Sequence, residues 1–153
     1  MTKDVLLSIS GLQYEIEENE ALEVITPGEY YFKNGKHYIL YEEVHEEDQT
    51  ITKNTIKVSE DQIDILRKGT INVHMTFEEN KNNITFYNTP FGQLLIGINT
   101  YKIEKDIKDD GMLLKITYGL EVNYAHISNC TIKIHIKSKE SDSLDQIMKS
   151  DKI

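Results

Sequence analysis

The 153-residue chain has no tryptophan, one cysteine, two prolines and a single arginine, and each scarcity narrows what it can be. One thiol, Cys130, cannot close an internal disulfide, which agrees with a reducing compartment. In Asn129-Cys130-Thr131 no neighbouring group activates it, so it reads as a packed or half-exposed strand residue. No run approaches the ~18 consecutive apolar residues that a membrane-spanning helix needs. The N-terminal MTKDVLLSIS, with Asp4 ahead of a short apolar stretch, lacks the form of a secretory signal. A soluble cytoplasmic protein with no membrane association is expected. Basic residues are also scarce: seventeen against twenty-six acidic ones give a formal charge of −9, which repels phosphate backbones, so nucleic acid is not an expected partner.

Chemistry-bearing motifs are missing as well. The five histidines, at 37, 45, 74, 126 and 135, show none of the close spacings that bind zinc. Gly35, Gly69 and Gly92 are isolated turn glycines rather than a phosphate loop, and no Gly-x-Ser-x-Gly elbow is present. No catalytic residue, metal site or cofactor is expected.

What the chain does have is strand-like runs. The stretch Ile84 to Glu104 holds two of them around the corner Asn88-Thr89-Pro90-Phe91-Gly92, with β-branched and aromatic residues on both sides, and reads as a hairpin. Gly97, inside the second run, is expected to mark a bend or bulge. Asn34-Gly35 between Tyr-rich runs is a type I′ hairpin signal. Pro27-Gly28 interrupts the run from Ala21 to Phe32 and suggests a bulge or a full break. Alternation is clean at Ile71, Val73, Met75 and Phe77, again from Leu114 to Val122, and at Ile132, Ile134 and Ile136, while Lys105 to Gly111 reads as a charged connection.

About ten such runs with almost no helical periodicity indicate an all-β antiparallel barrel or sandwich. Long runs, hairpin connections and interior glycines at 11, 97 and 119 favour a single closed meander barrel of eight to ten strands. At 17.7 kDa the chain suits one domain, residues 1–138, followed by a polar tail, 139–153, in which Ser143 is placed to cap a short frayed helix.

Several stretches resemble the YwiB-like family of small bacterial proteins: Arg67-Lys68-Gly69, Met75-Thr76-Phe77-Glu78, Tyr87-Asn88-Thr89-Pro90-Phe91-Gly92 with Asn99-Thr100, and Tyr30-Tyr31-Phe32-Lys33-Asn34-Gly35-Lys36 with Tyr41-Glu42-Glu43. The likeness covers roughly residues 4 to 137. It implies a lipocalin-like (calycin) barrel, a cytoplasmic location and a family of unknown function, with no catalytic residues to carry over.

In an up-and-down barrel the connections after strands one and three share one end, so the acidic loops Glu15 to Glu20 and Glu42 to Asp48 crowd one rim. Neither carries a calcium-loop pattern. Arg67 lies toward the same end and alternates with Ile63 and Ile65, so it points inward, either to pair with Glu42 or Glu43 or to hold an anionic ligand group. Tyr41, Tyr87 and Tyr118 are candidates to line the cavity beside Arg67. The functional expectation is a non-enzymatic protein that binds a small, partly apolar or anionic molecule inside the barrel. The alternative is an interaction module that offers its acidic rim or outer surface to a basic protein. A barrel filled by Met75, Phe77, Phe86 and Leu114 would argue against an internal ligand.

Overall fold

The computed structural model describes residues 1–12, 22–69, 72–89 and 92–139. These residues form ten strands and no helix: β1 (Asp4–Leu12), β2 (Leu22–Lys33), β3 (Lys36–His45), β4 (Thr50–Val58), β5 (Ile63–Lys68), β6 (Val73–Phe77), β7 (Asn82–Thr89), β8 (Gly92–Lys108), β9 (Gly111–Val122) and β10 (Ala125–Ser138). Every ladder is antiparallel, in the order β6-β5-β4-β3-β2-β1-β10-β9-β8-β7. Pairing of β1 with β10 joins the two ends of the meander, as the barrel reading expects.

Local chemistry accounts for the turns. Asn34 and Gly35 both take positive φ, 54° and 75°, and close Lys33 onto Lys36 in a two-residue hairpin. Gly11, at φ 83°, sits where the β1–β2 register shifts between Ser10 and Leu12, and a Cβ there would collide with the Thr131 carbonyl. Alternate residues then face one interior. Leu7, Ile9, Ile39, Ile56, Ile98, Leu114 and Ile134 are all essentially buried, and each such side chain stabilises the fold by about 1.5–3 kcal/mol relative to exposure.

Closure between β6 and β7 is of a different kind. No ladder joins them among the described residues. Residues of the intervening connection bond instead to β8, Asn80 N donating to Thr100 O (2.9 Å) and Thr100 N donating to Lys81 O (3.1 Å). Asn83 and Thr85 pair with the buried Ile98 and Ile96, so they face inward from β7. His74 and Thr76 face outward from β6, opposite in direction to the buried Val73, Met75 and Phe77. Yet all four line one cleft of about 90 Å³. The inner face of β7 therefore overlaps the outer face of β6, and Asn83 Nδ2 donates to the Thr76 carbonyl at 3.3 Å across the overlap. The barrel is nearly closed, by a lap rather than by a ladder.

Several expectations need correction. Pro27-Gly28 makes no bulge: β2 runs through it in unbroken register with β1, Pro27 opposite Leu6. Pro27 is accommodated because the β2–β3 ladder stops at Glu29, leaving no β3 donor or acceptor at that position. The β8 irregularity falls between Thr100 and Lys102, not at Gly97, where a Cβ would instead press on Glu121 and Asn82. Lys105 to Lys108 belong to β8, which pairs with β9 as far as Gly111, so charge concealed a strand end. The final strand starts at Ala125, well before Ile132. The first acidic loop, Ile71, Pro90 and the Ser143 helix lie outside the described residues.

Candidate functional site

Register places all four candidate residues on interior positions and shows what surrounds them. Tyr41 stands opposite Asn54, Asn54 opposite Arg67, and Arg67 opposite Val73, so one inward row crosses β3 to β6. Tyr41, Asn54 and Val73 are buried, and Arg67 is half-buried with its Nε inside. Asn54 Nδ2 donates to Glu43 Oε1 at 2.9 Å, and His45 Nε2 lies 2.8 Å from Thr52 Oγ1, so this corner of the interior is polar. Glu43 thus bonds to the neighbour of Arg67, while Glu42 faces outward and is exposed.

Tyr118 is fully buried on β9, opposite Thr100 and Cys130, and its ring meets Phe77 edge-on at a centroid distance of 5.1 Å. Burial first, then the neighbouring Cys130, pushes its phenol above the usual range. Tyr87 is half-buried and packs against the core. Met75, Phe77 and Leu114 are at most 2% exposed and pack in the interior, whereas Phe86 points outward and is 58% exposed.

A concavity of about 960 Å³ lies on the outside of the wall. Reading the register outward gives three rows. Tyr38, Lys57, Asp64 and Thr76 form the first, Leu40, Thr55, Leu66 and His74 the second, and Glu42, Lys53 and Lys68 the third. An apolar strip is thus flanked by charge, with Pro27 and Glu29 of β2 at its side. At one end Asp64, 5% exposed, accepts from Gln62 Nε2 (2.8 Å) and Thr76 Oγ1 (2.9 Å) and lies 3.0 Å from His74 Nε2. That network orients the imidazole at the groove margin. Lys57 sits over the Tyr38 ring at 5.9 Å.

None of Leu40, Lys53, Asp64, Leu66, Lys68 or His74 was a candidate binding residue from the sequence. Once Tyr41 and Arg67 point inward, Leu40 and Leu66 must point out, and it is their meeting across β3 to β5 as one patch, visible only in the register, that carries information. No cluster of three or more potential metal ligands occurs among the described residues.

Known proteins bear out the architecture. The chain is 28% identical over 130 residues to the uncharacterized beta-barrel protein YwiB of Bacillus subtilis (strain 168), spanning 84% of this chain and 90% of that protein. The crystal structure of ywiB protein from Bacillus subtilis superposes with a TM-score of 0.69 at 24% identity, covering 90% of this chain and 93% of the other. Residues 7–134 match the family described as Domain of unknown function (DUF1934), and with the match extending from β1 into β10 the chain belongs to that β-barrel family.

Proposed function

We propose that this protein is a non-enzymatic binding protein for a small, partly apolar molecule, and that the ligand lies against the outer groove of β2 to β6 rather than in the lumen. The observation that carries the reading is the groove itself: about 960 Å³, with Leu40 and Leu66 forming an apolar strip between charged rows. Volumes of about 300–1,000 Å³ with apolar walls and a few convergent polar groups are typical of small-molecule sites. The packing of Phe77 against Tyr118 favours the outside over the inside.

Native mass spectrometry of protein purified from its own host is expected to show a retained small molecule. Amide chemical-shift mapping with that molecule is expected to perturb Leu40, Thr55 and Leu66. Perturbation confined to the surroundings of Tyr87 and Tyr118 would place it in the lumen and overturn the groove assignment.

One observation supports a second reading, a surface for a basic protein. Glu46, Glu47 and Asp48 are exposed at a turn whose base carries the cross-strand pair Val44 and Ile51, exposed by 67% and 52%. Reversing Glu46 and Glu47 to lysine is expected to abolish co-purification of such a partner; undiminished recovery would refute this reading.

A further inference from the structure

We propose that one end of the groove recognises an anionic head group, so that the ligand is an amphiphile bearing a single carboxylate, sulfonate or phosphate on an apolar body. This rests on the groove reading and adds polarity to it. Lys53 and Lys68 stand directly opposite each other on β4 and β5, both exposed, at the end of the groove nearest the 46–49 turn, where β5 ends. Like charges directly opposite on adjacent strands disfavour the sheet. Here the pair persists in a chain of formal charge −9, and neither ammonium has a carboxylate partner among the described residues.

Glu42 stands opposite Lys53 on the other side, so the row presents two ammonium groups against one carboxylate. Adjacent strands lie about 4.8 Å apart, which lets two lysine stems converge on one anion.

The opposite end lacks this excess of positive charge, with one ammonium against one carboxylate. Asp64 faces it, Lys57 is its cross-strand neighbour, and the carboxylate already accepts from Gln62 and Thr76. A second anion there would meet a buried carboxylate. Between the two ends, Lys53 to Lys57 spans about 13 Å of strand at ~3.3 Å per residue, and Leu40, Thr55 and Leu66 form the floor. The geometry therefore fixes an orientation: head toward Lys53 and Lys68, body across the leucines toward Tyr38.

Two fluorescent probes of the same body test this, 1-anilinonaphthalene-8-sulfonate and its neutral relative N-phenyl-1-naphthylamine, titrated into the full-length protein. The sulfonate is expected to bind more tightly. The double variant Lys53→Gln/Lys68→Gln is expected to weaken it by about tenfold, the loss of a charge-assisted contact, while leaving the neutral probe unchanged. Circular dichroism checks that the variant is folded. Equal weakening of both probes, or no change in either, overturns the head-group assignment. The groove reading is scored separately by Leu66→Asp: loss of the neutral probe supports it. Neutral-probe binding unaffected by Leu66→Asp, or no binding of either probe to the parent protein, overturns both.

Discussion

The two faces of the wall formed by β3, β4 and β5 are inverted relative to an ordinary half-buried sheet. Inside, one row reads Tyr41, Asn54, Arg67; outside, the row displaced by one residue reads Leu40, Thr55, Leu66. Away from this end the usual order returns, with Ile39, Ile56 and Ile65 inside. The inversion is local. Ile39, Ile56, Ile65 and Phe77 are buried in the core, whereas Leu40 and Leu66 line the outer groove.

That contrast is broken most directly at its extremes. Phe77→Ala, at a position with no exposure and in contact with Tyr118, is expected to lower stability by about 3–5 kcal/mol in urea denaturation; a loss under about 1 kcal/mol would mean the interior does not carry the fold. Asn54→Ala removes the donor to Glu43 in a buried setting and is expected to cost about 1–3 kcal/mol. A neutral result there would erase the distinction between the polar inner row and the outer one. Leu66→Ala, half-buried on the outer face, is expected to cost less than about 1 kcal/mol by the same measurement while weakening the neutral probe.

The smallest effect concerns pH. Burial first, then Lys105 and the N-terminal ammonium, holds His37 below its ordinary 6.5. The unfolded chain therefore takes up that proton before the folded one, so stability from this group is complete above pH 6.5 and declines as pH falls toward the lower folded value. Proton NMR titration of His37 checks the direction; a midpoint above 6.5 would reverse the sign.

Much of the barrel was legible because strand alternation and turn chemistry are local. Asn34-Gly35 dictates its hairpin whatever surrounds it, and the isoleucines of β10 declare a buried face. The overlap of β7 on β6 was not legible, since it depends on where two distant ends of a ten-strand sheet meet. The groove escaped for a related reason. Lys53 and Lys68 are fifteen positions apart in a chain rich in lysine, and only the register of β4 against β5 sets them side by side. The inward alternation of Arg67 could be read from Ile63 and Ile65, whereas its neighbour Asn54 required a pairing that no short motif encodes.

The overlapped closure has a consequence for how this cylinder comes undone. Elsewhere each strand is stitched to neighbours on both sides, but among the described residues β6 and β7 each have a ladder on one side only. Across the unstitched line the Asn83 side-chain amide donates to the Thr76 carbonyl, a single contact rather than a cooperative row that would protect backbone amides. Deuterium will enter there ahead of the β1–β10 junction, and the protein will unroll from that line inward.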